Sequence, residues 1–389
     1  MDWIYFLHGF TIINKCLLFP LFFFKKNNSA ANRLLALLIL LPAVPVAADF
    51  FIYSGYLKDF PYILFLYQVI INFFGPVYYF YCMTMIGRPF KMNRNKLVHL
   101  LPSIFPLFLW ADYASLSPAE RSAYIAFFLE PGYLNWRMTA VSITPIVVVL
   151  PYMSAAAWKV YKYISSAKDV FTNLESLKIN FIKEFILITI GEVLLLFSLY
   201  AFVPVYYIEA IWVPVLGNIM YFYIIYKSYN YSVLFSEKDY ESYQEQYKPL
   251  ERYIQDRSEK YSGSGLSGEK MDQYALQLAE GFAGGRWYLD AELNLSSLAS
   301  KSGIPAHNIS QVINQKFGKN FFDYVNEKRV DELKRKLLQP DLGHYKIEEL
   351  AFMSGFNSKA AYQRAFKKHA GTTPSEWRDK HDKVLLKAV

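Results

Sequence analysis

The chain has 389 residues, 54% hydrophobic and 18% aromatic, with 19% charged and a formal net charge of +8. A water-soluble domain this apolar would be unusual, and the two cysteines, Cys16 and Cys82, are far too few for a disulfide framework. Charge is sparse in the first two-thirds and dense in the last third, so the positive excess is divided between loops that would face anionic lipid and the C-terminal region.

Seven apolar runs reach or approach the roughly 20 residues needed to cross a hydrocarbon core. They lie at 4–24, 34–53, 62–85, 97–113, 138–163, 179–202 and 207–229. The fourth is short and is interrupted by Pro102 and Pro106. Lys25, Lys26 and Arg33 fill the first loop, Arg88, Lys91, Arg94 and Lys96 the third, and Lys159, Lys162, Lys168 and Lys178 the fifth. The alternating loops hold fewer basic residues. The positive-inside rule therefore predicts an outside N-terminus and a cytoplasmic C-terminus, in a multi-pass protein of the lipid bilayer. The first run has no basic region before it and carries Lys15 in its middle, which predicts a retained helix and not a cleaved signal peptide.

Asn14, Lys15, Asp49, Gln68, Asn72, Glu192 and Asn218 fall at membrane depth, where an ionisable side chain costs a few kcal/mol unless it faces the bundle interior. Lys15, Asp49 and Glu192 are the candidates for an intramembrane polar site, with Lys15 and Glu192 paired by depth. Two readings stand side by side: a pocket for a ligand or ion, and a structural clamp between helices.

Residues 236–261 turn charged, with Tyr240, Tyr243, Tyr247, Leu250 and Ile254 at alternating spacings of three and four. This could be a seam that joins two copies as a homodimer, but it is short and contains Pro249, so a simple amphipathic linker is favoured. Residues 263–268 match a dinucleotide fingerprint by letter, but they follow Arg257-Ser258-Glu259-Lys260 and not an apolar strand, so they read as a flexible tether. The histidines at 8, 99, 307, 344, 369 and 381 are scattered, and no zinc, phosphate-loop, nucleophile-elbow or kinase pattern is present. No enzyme, metal or cofactor is predicted.

Beyond Asp290 the pattern is helical and duplicated. Leu298-Ala299-Ser300-Lys301-Ser302-Gly303-Ile304 recurs as Leu350-Ala351-Phe352-Met353-Ser354-Gly355-Phe356. Each copy buries a Leu-Ala pair, turns at a glycine that permits positive φ, and enters a second helix, which is a helix-turn-helix written twice. In the first, Asn294 is a plausible cap, Pro305 suits a first helical turn, and Ile309 and Ile313 form the buried pair. That leaves Ala306, His307, Ser310, Gln311 and Asn314 on the opposite face. A helix at 321–338 follows, with Lys328, Arg329, Lys334, Arg335 and Lys336 expected to face out. In the second copy, Tyr362 and Phe366 are inward, so Lys359, Ala360, Gln363, Arg364 and Lys367 share the exposed face.

Ile347-Glu348-Glu349-Leu350-Ala351, Gly355-Phe356, Ser358, Tyr362-Gln363-Arg364-Ala365-Phe366-Lys367, Gly371, Thr373-Pro374 and Trp377-Arg378 resemble the signature of the AraC/XylS family of bacterial transcription regulators. The resemblance covers roughly residues 270 to 380. It implies two helix-turn-helix units joined by a long helix, double-stranded promoter DNA as partner and RNA polymerase as a further one. It assigns base reading to His307 and Gln311 in the first unit and to Lys359, Ala360, Gln363 and Arg364 in the second. Lys316, Ser358, Lys367 and Lys368 fall to the DNA backbone. The first recognition helix departs from the pattern: residues 305–315 contain no Lys or Arg, which moves the weight of specificity to the second. The combined layout is similar to membrane-embedded members of this family.

The expectation is an all-α chain: a seven-helix transmembrane sensor at 1–230, a linker and tether at 231–267, an AraC-type DNA-binding domain at 268–380 and a tail at 381–389. It would sit in the bacterial cytoplasmic membrane and answer a small-molecule or membrane signal by binding promoter DNA. The rival readings are a membrane receptor or carrier whose tail binds protein, and an intramembrane enzyme built on Glu192, Asp49 and Lys15.

Overall fold

The computed structural model describes residues 2–24, 29–58, 60, 62–88, 90, 93–109, 116–117, 119–120, 123, 136–174, 179–199, 202–203, 207–230, 250, 253 and 266–385. Among these the regular structure is helical, with one isolated antiparallel bridge between Phe171 and Asn294. The chain divides into two compact units. The first comprises Met1–Tyr161 and Asn180–Gln244, and the second Lys162–Ile179 and Glu245–Val389.

In the first unit, helices α1 (Asp2–Phe23), α2 (Ala30–Leu40), α3 (Ala43–Ser54), α4 (Tyr62–Ile71), α5 (Phe74–Met85) and α6 (Leu101–Leu109) are followed by α7 (Trp136–Ala167), α8 (Ile179–Leu199) and α9 (Val213–Asn230). α1 packs against α2, α3 and α9. Prolines explain where the apolar runs break. Pro42 stands between α2 and α3 and caps α3, while Pro45 falls in the first turn of α3, where its missing N–H is tolerated. Pro76 has no N–H for the carbonyl of Asn72, and α4 stops at Ile71. A π-helical turn, Ile208–Trp212, precedes α9, and there Val213 N–H bonds Ile208 C=O next to Pro214.

Polarity in this unit is arranged inside out. On α1 the buried side includes His8, Thr11 and Lys15, while Phe6, Ile13 and Leu17 are 74%, 58% and 63% exposed. Several buried polar groups bond to one another or to the backbone. Asn218 Nδ2 donates to Thr11 Oγ1 at 2.7 Å, Asn72 Nδ2 to Gln68 C=O at 2.7 Å, and Tyr221 Oη to Asn14 C=O at 3.2 Å. Among the described residues, four helical stretches are long and apolar enough to cross a membrane: Trp3–Phe23, Ala30–Ser54, Tyr62–Met85 and Ile208–Lys227. In the fourth predicted run the described residues form a 3-10 turn, Arg94–Leu100, and the nine-residue α6, and the end of the run lies outside the described residues. The fifth and sixth form the 32-residue α7 and the 21-residue α8.

The second unit contains α10 (Gly268–Ala283), α11 (Leu295–Ser302), α12 (Ala306–Phe317), α13 (Phe321–Leu337), α14 (Ile347–Phe352), α15 (Lys359–Ala370) and α16 (Pro374–Leu385). α13 lies at the centre, packing on α12, α14, α15 and α16. Val330, Leu333 and Leu337 of α13 meet Leu350, Ala351, Phe356, Tyr362, Ala365 and Phe366 in one apolar core. α16 runs through the boundary placed at residue 380, anchored by Trp377 stacked on His381 and edge-on to Phe366. Residues 162–179, which the sequence reading leaves within the membrane half, belong to this unit. The predicted seam residues Tyr240, Tyr243, Tyr247 and Ile254, and Gly263 to Gly265 of the tether, lie outside the described residues; Leu250 is buried.

Candidate nucleic-acid interface

The first helix-turn-helix is α11 with α12. Asn294 Oδ1 accepts from Ser297 N–H at 3.0 Å, and Ser297 Oγ accepts from Asn294 N–H at 3.0 Å, a reciprocal cap that starts α11 where the sequence predicts it. Gly303 ends α11 at φ +71°, and Pro305 stands just before α12 instead of inside it. Ile309, Val312 and Ile313 are fully buried. His307 and Gln311 are half-buried, and Asn314, Gln315 and Lys316 are exposed.

One expectation about this face fails. Ser310 is 4% exposed, because Tyr253 covers it, with the hydroxyl 2.9 Å from Ser310 Oγ. The cover comes from a residue far along the chain, which helical periodicity cannot register. Lys316 is exposed and forms an ion pair with Asp272 on α10.

The second helix-turn-helix is α14 with α15. Ser358, assigned to the DNA backbone, caps α15 by accepting Ala361 N–H at 3.1 Å. Tyr362, Ala365 and Phe366 are buried, while Lys359, Ala360, Gln363, Arg364, Lys367 and Lys368 are exposed. These six candidates therefore come together along one side of a single helix. Lys368 Nζ is also 2.6 Å from Asp323 Oδ1 at the start of α13. Below it the imidazole of His369 is pushed down by burial, against the opposing pull of Glu327 and Asp323.

Gly355 in the turn has φ +92°, and a Cβ there would lie 2.3 Å from Tyr288 C=O and 3.0 Å from Arg329 Nε. The turn thus presses its backbone against the 3-10 turn Trp287–Leu289.

Arg329 corrects a second expectation. It is 2% exposed instead of outward-facing. Its Nε donates to Tyr288 C=O at 2.8 Å and its Nη2 to Asp290 C=O at 2.7 Å. Burial lowers its guanidinium to about 10, opposed by the charges of Asp290 and Glu292. Arg335 and Lys336, nearby on α13, pair with the buried Glu332 at 2.7 Å and 3.3 Å. Much of the positive charge of α13 is thereby committed to the fold.

The other candidates lie in the first unit. Lys15 and Glu192 line one cavity of about 370 Å³, walled by apolar side chains from α2, α5, α7, α8 and α9. The half-buried Asp49 is not among its lining residues.

A family model described as a helix-turn-helix domain matches residues 298–380. Over 87 residues, 22% of this chain and 69% of the relative, the chain is 31% identical to a probable transcription factor, PqrA, from Proteus vulgaris. The chain belongs to the AraC family of transcription regulators. A solved structure of a protein of unknown function from Listeria innocua is also similar, at 28% identity over 27% of this chain and 93% of its own, with a TM-score of 0.24. Membership makes the chain a transcription factor and not an enzyme, and the AraC-type domain accounts for both turns and both recognition helices. The matched span omits α10, residues 162–179 and Tyr253, so the packing partners of the first helix-turn-helix lie partly outside the matched residues.

Proposed function

We propose that this AraC-family protein is a membrane-bound, sequence-specific regulator: a transmembrane bundle senses a signal, and the cytoplasmic C-terminal domain binds promoter DNA. The observation that carries the DNA half is the exposed row Lys359, Ala360, Gln363, Arg364 and Lys367, set opposite buried Tyr362, Ala365 and Phe366. Arg can donate bidentately to guanine and Gln to adenine, and Ala360 permits close approach to the groove. His307 and Gln311 are secondary readers, and Lys316, Ser358, Lys367 and Lys368 serve the phosphates. RNA polymerase is the further partner.

The inside-out polarity of the first unit supports insertion, since exposed Phe and Leu suit lipid while Thr11, Lys15 and Asn218 are buried away from it, with Asn218 donating to Thr11. We assign seven spans, with the basic loops inside. The Lys15–Glu192 cavity is the place for the signal. Gly217 also lines this cavity, and a Cβ on it would lie 3.5 Å from Lys15 Nζ.

Genomic selection with the full chain, followed by titration of the selected duplex against a scrambled one, tests DNA reading. Equal affinity for the two would overturn it. Reporter fusions active only outside the membrane should be active at Gly55 and Ser117 and silent at Asn93 and after Val389; activity at the C-terminus would place the domain away from the chromosome.

A further inference from the structure

Segment 168–172 connects α7 toward α8 in sequence, yet its backbone is bonded into the DNA-binding unit. Lys168 C=O accepts Phe322 N–H at 2.8 Å, and Val170 C=O accepts Leu295 N–H at 2.8 Å. Phe171 forms the antiparallel bridge with Asn294. Leu295 and Phe322 lie in the first turns of α11 and α13, whose N–H groups have no acceptor within their own helix. The segment supplies those acceptors. Thr172 Oγ1 donates to Leu293 C=O at 2.6 Å and accepts from Arg329 Nη2 at 3.3 Å. Val170 and Thr172 are 1% and 4% exposed, so the segment is buried where it docks.

The same segment reaches the first recognition helix through Tyr253. The Tyr253 hydroxyl lies 2.9 Å from Ser310 Oγ and contacts Asp169 Oδ2 at 3.4 Å. Ser310 shares its side of α12 with His307, Gln311 and Asn314 by helical spacing. A major groove admits a recognition helix only along an uncovered face.

We propose that segment 168–172 and Tyr253 form a clasp docked between the starts of α11 and α13, and that the clasp covers the first recognition helix until it is withdrawn. The docking surface thus has an occupant of defined chemistry: an extended stretch of this same chain, held by backbone pairing and by Val170 and Thr172. α7 ends at Ala167, the residue before the clasp. The inference rests on the reading of the domain as a duplex binder.

The test uses the full chain in lipid nanodiscs and a duplex that the chain itself has selected from genomic fragments. In a Cys16→Ser, Cys82→Ala background, Phe171→Cys with Asn294→Cys places thiols on bridged positions, where a disulfide can form. The oxidised protein should bind about tenfold more weakly than the same protein after reduction, because the competent population falls. Tyr253→Phe keeps the ring and removes the hydroxyl; it should bind about threefold to tenfold more tightly than the parent, the weight of one net hydrogen bond. Equal affinity of oxidised and reduced forms, with Tyr253→Phe unchanged, overturns the clasp while leaving DNA reading intact. If the reduced protein and Tyr253→Phe both fail to distinguish the selected duplex from a scrambled one, DNA reading fails and the clasp falls with it.

Discussion

The two helix-turn-helix units share a plan and differ in what surrounds it. In the first, the turn glycine Gly303 sits in open space, and the recognition helix α12 has no Lys or Arg before Lys316 and has its Ser310 under Tyr253. In the second, Gly355 is pressed onto the Tyr288 carbonyl, and α15 presents Lys359, Arg364, Lys367 and Lys368 to solvent. Duplication therefore preserved the local geometry and let the surroundings diverge. One recognition helix has a residue covered from elsewhere in the chain, and the other keeps an exposed row with the charge that DNA contact requires.

The strongest test of that contrast is the paired glycine substitution. Gly355→Ala meets both positive φ and a carbonyl at 2.3 Å, and should cost about 3 kcal/mol or more, the sum of left-handed strain and overpacking. Gly303→Ala, with nothing within 4 Å, should cost only about 1 to 2 kcal/mol. Chemical unfolding followed by amide exchange in α13 checks both, and equal losses would erase the distinction.

Arg329→Met comes next. It strips donors from the Tyr288 and Asp290 carbonyls, the first of which lies against the Gly355 turn, and should cost about 2 to 4 kcal/mol. If Arg329→Met leaves stability unchanged, the buried guanidinium is not what joins the two halves.

Base reading gives the third contrast. Arg364→Ala should lose about 1 to 3 kcal/mol of discrimination between selected and scrambled duplexes, and Gln311→Ala under about 1 kcal/mol. Lys367→Ala should instead weaken both duplexes alike and lower the salt slope by about one. Titration at several salt concentrations separates these, and a larger specificity loss from Gln311→Ala would reverse the ranking of the two helices.

The smallest effect lies at the start of α16. There the Thr372 hydroxyl, then Thr373 N–H, hold the Glu376 carboxyl down to about 2 from the ordinary 4.5. Because the folded value is depressed, this stabilisation is present above pH 4.5 and is lost as pH falls toward 2. Amide exchange at the start of α16 should quicken across that window in the parent and less so in Glu376→Gln.

What could be read from letters was whatever depends on near neighbours. The Asn294 cap, the glycine turns, and the buried pairs Ile309/Ile313 and Tyr362/Phe366 follow from spacing within one or two helical turns. So does the exposed row of α15. Lys328 and Arg329 look alike in sequence, but only Arg329 meets two carbonyls from the 287–290 region and becomes buried. Ser310 has the spacing of an exposed residue and loses that exposure to Tyr253.

The sequence by itself determined the two duplicated turns, the apolar helices and the proline breaks between them, because periodicity, φ and the missing proline N–H act locally. Only the tertiary structure decided that Lys15 and Glu192 line one cavity without Asp49, that Arg329 is part of the core, and that residues 168–172 belong with the DNA-binding unit. Those outcomes depend on which unpaired backbone groups and apolar faces meet across long chain separations, and a helix start accepts any carbonyl that the fold brings within reach.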